Sequence, residues 1–137
     1  MTRSRETPLP STDVFGDSWD GRRVTVVGLG RSGLAAARLL CRTGARVSVT
    51  EARDTPELRT AAEALSALGL CHAELGRHTE RLIAEADLVV VSPGVPECGG
   101  PVAWAEARGL PILSEVELAF RFCPSPVIAV TGTNGKS

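Results

Sequence analysis

The stretch Val24-Thr25-Val26-Val27-Gly28-Leu29-Gly30-Arg31-Ser32-Gly33 constrains this chain more than any other. A short apolar run stops at a glycine and restarts as a helical pattern. Val-Thr-Val-Val puts β-branched residues on both faces, as a buried parallel strand does. The glycines at 28, 30 and 33 stand at the G-x-G-x-x-G spacing. Gly28 lets the chain leave the strand in a tight turn, Gly30 leaves room for backbone to approach a phosphate, and Gly33 lets the helix pack close to the strand. The helix N-terminus offers free N–H groups and partial positive charge, which suit a pyrophosphate. The same glycines could serve packing alone, but the strand before and the helix after favour a nucleotide site. The motif does not say which nucleotide.

The chain of 137 residues is long enough for one domain with a proper core. Its net charge of −1 gives no reason to expect nucleic acid or an anionic membrane as partner. No apolar run approaches a transmembrane length, and the first residues lack the apolar core of a secretory signal. A cytoplasmic monomer is the expectation. The four cysteines, at 41, 71, 98 and 123, match no zinc spacing. His72 falls in an expected strand and His78 in a turn, and both read as structural.

Residues 1–17 are polar and rich in Pro and Ser, and are expected to be a disordered tail. Trp19 is expected to pack under the sheet. Strands are expected at 24–27, 46–50, 71–75, 88–91 and 110–113, the third of them weak. Helices are expected at 32–43, 56–68, 79–86, 101–108 and 115–122. Glu51 closes the second strand about twenty residues past the glycines, where dinucleotide folds place an acid on a ribose. Thr55, Pro56 and Glu57 read as N-cap, first helical residue and first-turn acid. Ser114 and Glu117 form a capping box. Ser92-Pro93-Gly94 ends the fourth strand, so it should line the crevice of the glycine loop. Pro111 puts the fifth strand at an edge.

This alternation predicts an α/β, Rossmann-like fold: a five-stranded parallel sheet in the order 3-2-1-4-5, helices on both faces, and a crevice between strands one and four. The domain covers 18–123, and Pro124 and Pro126 stiffen a linker at 124–126. A new unit then opens at 127–137, with the buried-strand run Val127-Ile128-Ala129-Val130 and the loop Thr131-Gly132-Thr133-Asn134-Gly135-Lys136-Ser137. All basic residues but one are arginine, and the single lysine is Lys136. A compact ammonium fits between phosphate oxygens where a planar guanidinium does not. The Gly-Lys-Ser ending reads as an ATP loop, with backbone N–H groups on phosphates, Lys136 on the β- and γ-phosphates and Ser137 on Mg²⁺. Val130 stands where the general pattern wants glycine. The chain stops inside this motif and reads as a fragment.

Two unlike nucleotide loops in tandem resemble the Mur ligases, which build the peptide of bacterial cell-wall precursors. The matching pieces are Gly28-Leu29-Gly30-Arg31-Ser32-Gly33-Leu34, Thr50-Glu51-Ala52-Arg53, Val91-Ser92-Pro93-Gly94-Val95, Ser114-Glu115-Val116-Glu117-Leu118 and the run from Ala129 to Ser137. Within the family the likeness is closest to the branch that joins D-glutamate to UDP-N-acetylmuramoyl-L-alanine. The resemblance implies that the first domain holds UDP. Gly28, Gly30, Arg31, Ser32 and Gly33 would face the pyrophosphate, Glu51 and Arg53 the uridine, and Ser92, Pro93 and Gly94 would close over it. The family often has Asp-Thr-Arg where this chain has Glu51-Ala52-Arg53. Gly132, Thr133, Asn134, Gly135, Lys136 and Ser137 would bind ATP, with Lys136 catalytic and Ser137 on Mg²⁺. The reaction implied is phosphorylation of the substrate carboxylate by ATP, then attack by the D-glutamate amine. This piece is expected to bind without catalysing.

Three other readings stay open. An NAD(P)-dependent oxidoreductase domain suits Glu51 and Arg53, yet has no use for the second loop. A non-catalytic nucleotide sensor is the second. A Mur ligase with another amino-acid substrate is the third.

Overall fold

The computed structural model describes residues 9–96, 100–125 and 128. Five parallel strands lie in the order β3-β2-β1-β4-β5, with β1 at Arg23–Val27, β2 at Arg46–Glu51, β3 at His72–Leu75, β4 at Leu88–Val91 and β5 at Ile112–Ser114. The helices between and after them are α1 (Arg31–Arg42), α2 (Pro56–Ala67), α3 (Glu80–Ala84), α4 (Gly100–Ala107) and α5 (Glu115–Arg121). The architecture is the expected Rossmann-like one, and the strand order reverses at β1/β4 as the alternation predicts. No described helix is long and apolar enough to cross a membrane.

Register decides the two faces. Val24 pairs with Val47 and Leu88, and Val26 with Val49 and Val90. Side chains alternate along a strand, so these residues share one face. They bury there with Ala37 and Leu40 of α1, Leu65 of α2 and Leu118 of α5. The other face is smaller: Val27 and Val89 bury with Ile83 of α3 and Ala105 of α4. Thr25 points to that side and its hydroxyl donates to the Leu82 carbonyl at 2.8 Å, which satisfies a buried polar group.

The local signals work as the chemistry requires. Thr55 caps α2 by accepting from the Leu58 N–H at 3.2 Å, with Pro56 opening the helix. Ser114 and Glu117 close a reciprocal capping box on α5. Gly44 follows α1 with φ of 87°, a conformation that costs a side chain dearly. β5 starts one residue later than Pro111. That proline gives the sheet only its carbonyl, which accepts from the Val89 N–H at 3.0 Å.

The described part of the expected tail is no tail. Residues 9–17 fold back as a strap across the amino-terminal edge of the sheet. The Leu9 N–H donates to the Arg42 carbonyl, Val14 to that of Arg121, and Thr12 bridges Ser18. Asp13 anchors the strap. Its buried carboxylate accepts from Trp19 Nε1 at 2.9 Å, from the Phe15 and Asp17 N–H groups, and from Arg121 at 3.3 Å. Trp19 is fully buried, as expected, and its ring packs 5.5 Å from that of Phe122. Burial pushes the Asp13 carboxyl up, but these donors outweigh it and hold it below the ordinary carboxylate value. A polar composition suggested disorder because the partners that fix it lie up to 108 residues away.

Candidate functional site

The turns after β1, β2 and β4 converge at the carboxyl edge of the sheet. Gly28 donates its N–H to the Thr50 carbonyl at 2.8 Å, and Ser92 donates its N–H to that of Val27 at 3.0 Å. Between these turns lies a cleft of about 400 Å³. Every residue assigned to UDP from the sequence lines it: Gly28, Gly30, Arg31, Ser32, Gly33, Glu51, Arg53, Ser92, Pro93 and Gly94.

The three glycines differ in what demands them. Gly28 has φ of 96°, and a Cβ there would come within 2.9 Å of Ser92 Cβ. A Cβ on Gly33 would sit 2.0 Å from the Gly28 carbonyl oxygen. Both are required by the fold. Gly30 has an ordinary φ of −71°, and a Cβ there would meet no atom within 4 Å. Among the described residues no atom excludes a Cβ at that position; the space in front of it belongs to the cleft.

The start of α1 is equally unfinished. Gly30 is its N-cap residue and has no side chain to offer, and no acid stands in the first turn. The first N–H groups of a helix have no partner within it. In α2 and α5, Thr55 and Ser114 supply the cap and Glu57, Glu115 and Glu117 the negative charge. In α1 the corresponding N–H groups of Arg31, Ser32 and Gly33 open onto the cleft.

Glu51 and Arg53 take up a geometry that spacing alone does not reveal. Glu51 is buried, at 7% exposure, and its Oε1 accepts from Arg53 Nε at 2.7 Å while Oε2 accepts from the Ala52 N–H at 3.0 Å. Arg53 stays 66% exposed. The two residues hold each other, and a carboxylate with four lone-pair directions keeps acceptor capacity for a ligand hydroxyl or N–H. Ser92 is buried, and its hydroxyl reaches the Gly28 carbonyl at 3.5 Å, tying the first and fourth strands' turns together.

His78 also lines the cleft, which the sequence reading missed. Its Nδ1 lies 2.8 Å from the Thr50 hydroxyl, which also lies 3.2 Å from Glu74 Oε1. Thr50 has one proton to give. Where it goes to Glu74, His78 donates through Nδ1 and its Nε2 is an acceptor. Burial raises the Glu74 carboxyl, but the Thr79 hydroxyl and N–H, the Thr50 hydroxyl and Arg77 together lower it below its ordinary value. The signal that could have found His78 is its place just past the carboxyl end of β3.

A wider cleft of about 580 Å³ lies on the second sheet face, over the amino-terminal halves of β1, β2 and β3, lined by Arg23, Arg46 and His72. Ligands of open parallel sheets bind at carboxyl ends, so size does not decide between the two. Gly132, Thr133, Asn134, Gly135, Lys136 and Ser137 lie outside the described residues, as do Val127, Ala129 and Val130 of the buried strand expected at 127–130; Ile128, the one described residue of that run, is exposed and outside any strand. Among the described residues no group of three or more His, Cys, Asp or Glu could hold a metal ion.

Fold and cleft together define a Rossmann-like α/β domain with an open cleft at the carboxyl edge of its sheet. Mycobacterium tuberculosis shikimate dehydrogenase shares the fold, with a TM-score of 0.50 at 14% identity over 72% of this chain and 47% of that one. Sequence comparison is more specific. A family model for the Mur ligase MurD-like N-terminal domain matches residues 22–114. This chain belongs to the Mur ligase family through that domain. It is 48% identical over 118 residues to the UDP-N-acetylmuramoylalanine--D-glutamate ligase of Desulfosudis oleivorans, covering 86% of this chain and 26% of the relative. It is 51% identical over 118 residues to the ligase of the same name from Anaeromyxobacter dehalogenans, covering 85% and 25%. The chain thus spans about a quarter of the length of the curated relatives it matches.

Proposed function

We propose that the carboxyl-edge cleft binds the uridine diphosphate end of UDP-N-acetylmuramoyl-L-alanine, within an ATP- and Mg²⁺-dependent cytoplasmic ligase that adds D-glutamate to it. The observation that carries this reading is the uncapped start of α1, opening onto a cleft beside a glycine at which no described atom excludes a Cβ. The backbone N–H groups of Arg31, Ser32 and Gly33 take the pyrophosphate, aided by the helix dipole. Glu51, held by Arg53, accepts from the uridine, and the turn at Ser92, Pro93 and Gly94 bounds the other side.

The amide-forming step belongs to the second loop. When ATP is bound, it supplies the phosphoryl group that activates the substrate carboxylate. Lys136 would offset charge on that group, and Ser137 would offer its hydroxyl to Mg²⁺. These assignments rest on the Thr-Gly-Thr-Asn-Gly-Lys-Ser sequence and on family membership. The described domain supplies binding alone, so these 137 residues are expected to form no amide from D-glutamate and Mg-ATP.

Thermal unfolding with UDP, UDP-N-acetylmuramoyl-L-alanine, NAD⁺ and NADP⁺ tests the cleft. A ligand at a hundred times its dissociation constant stabilises by about 2.7 kcal/mol, several degrees for a domain of this size. The uridine ligands should raise the melting temperature and the nicotinamide ones should not. A rise with NAD⁺ or NADP⁺ alone would overturn the assignment.

A further inference from the structure

Thr50 is fully buried, and three groups surround its hydroxyl: Glu74 Oε1 at 3.2 Å, the Arg77 carbonyl at 3.4 Å and His78 Nδ1 at 2.8 Å. The first two can only accept. Glu74 is held as a carboxylate by the Thr79 N–H at 2.7 Å and the Thr79 hydroxyl at 2.8 Å. A backbone carbonyl has no proton to give. The single Thr50 proton therefore goes to one of these oxygens, and the Thr50 oxygen is left to accept. Of its three neighbours only His78 can donate. The cluster fixes the imidazole as its Nδ1–H tautomer, with a bare lone pair on Nε2.

That lone pair is unused and within reach. Among the described residues Nε2 has no hydrogen-bond partner, and it is not one of their buried atoms left without one. The two ring nitrogens of an imidazole face apart. With Nδ1 turned to buried Thr50, Nε2 is turned away from the sheet, and the ring lines the glycine-loop cleft together with Glu51 and Arg53.

Position says which part of a nucleotide comes there. The order β3-β2-β1 sets the ends of these strands in a row. The free N–H groups of α1 lie past β1, Glu51 ends β2, and His78 follows the end of β3. His78 thus stands one to two strand spacings, about 5–10 Å, along the cleft from the glycine loop. With pyrophosphate on the loop and the ribose at Glu51, a nucleoside laid along this row brings its base to His78. Uracil presents an imide N–H at N3. Cytosine presents a bare nitrogen in the same place. A nitrogen that can only accept pairs with the first and sets lone pair against lone pair with the second.

We propose that His78 determines the choice of base: its Nε2 accepts the imide N–H of uracil and turns away cytosine, which has no proton there. This rests on the uridylate reading of the cleft.

The test has two parts. Long-range ¹H–¹⁵N NMR of the neutral His78 ring in the native chain should show Nδ1 protonated and Nε2 bare. Calorimetric titration with UDP and with CDP then compares the native chain, His78→Ala and His78→Gln. The native chain should bind UDP at least about tenfold more tightly than CDP. His78→Ala should weaken UDP about tenfold, the size of one lost hydrogen bond, without weakening CDP. His78→Gln carries an amide that can present either its oxygen or its NH₂. It should keep UDP near the native affinity and admit CDP to within about threefold of UDP. Either variant alone collapses the preference, one by losing UDP and the other by gaining CDP. Both give up only the Thr50 contact within the fold and should melt within about 8 °C of the native chain. An Nε2–H tautomer, equal binding of UDP and CDP by the native chain, or an unchanged ratio in the variants overturns the proposal and leaves the nucleotide site standing. A native chain that binds neither nucleotide removes the uridylate reading, and this proposal with it.

Discussion

The two edges of the sheet are built in opposite ways. At the amino-terminal edge the strap of residues 9–17 is tied to the ends of α1 and α5, and its groups are satisfied there: Leu9 with the Arg42 carbonyl, Val14 with the Arg121 carbonyl, Asp13 with Trp19 and Arg121. At the carboxyl edge the turns are stitched to each other, yet the groups facing outward are left over. The start of α1 is uncapped and Gly30 fronts empty space. A finished edge contributes stability; an unfinished one has its partners supplied by something that binds. The contrast marks the site better than cavity size does, since the 580 Å³ cleft lies at the other end of the strands.

The harshest way to break the contrast is Gly33→Ala. Its Cβ would stand 2.0 Å from backbone, so α1 must move away from β1. Overpacking of this kind costs about 1–3 kcal/mol, and a shift of about 10 °C in melting temperature is expected. UDP binding should vanish with it, because the N–H groups of α1 move with the helix. Retention of native stability would mean that the turn is looser than the contacts indicate.

Asp13→Ala should separate the edges. It removes the acceptor from a buried Trp19 N–H and two backbone N–H groups. A loss of about 1–3 kcal/mol is expected, read in urea unfolding, with UDP affinity of the folded protein unchanged. The same anchor sets an acid limit. The Asp13 carboxyl lies below its ordinary value of 3.8 when folded, so its contribution is complete above that value and fades as pH falls through the lower folded value. Strap release should therefore appear only in strong acid. A stability loss near pH 6 traced to Asp13 would contradict this.

The edges also differed in how much the sequence disclosed. The carboxyl edge was legible because its signals are local: glycine spacing, a Ser-Pro-Gly turn, an acid closing a strand. Strand order followed from alternation and the right-handed crossover rule. The strap was not legible, since what orders Asp13 is Trp19 in one direction and Arg121 at the far end of the domain. The Glu51–Arg53 pair escaped for another reason. Each residue alone suits a ligand, and only coordinates show that Arg53 serves first to hold the Glu51 carboxylate. His78 escaped because its partner, Thr50, sits 28 residues earlier on a different strand.

Gly30→Ala makes the smallest structural change and gives the sharpest reading of the contrast. Its φ of −71° suits alanine, and the new Cβ would touch no protein atom within 4 Å. Stability should fall by no more than about 1 kcal/mol, the cost of alanine in place of glycine at an N-cap. Affinity should fall further, because the methyl group occupies the space into which a pyrophosphate must come to reach the α1 N–H groups. A loss of about tenfold or more for UDP is expected by calorimetry. Arg46→Ala, on the wider cleft, serves as the matched control and should alter neither quantity beyond about 0.5 kcal/mol. If Gly30→Ala binds UDP as the native chain does while Arg46→Ala does not, the ligand sits at the other cleft. The open space before Gly30 would then be a packing accident, and the uncapped helix start would need another explanation.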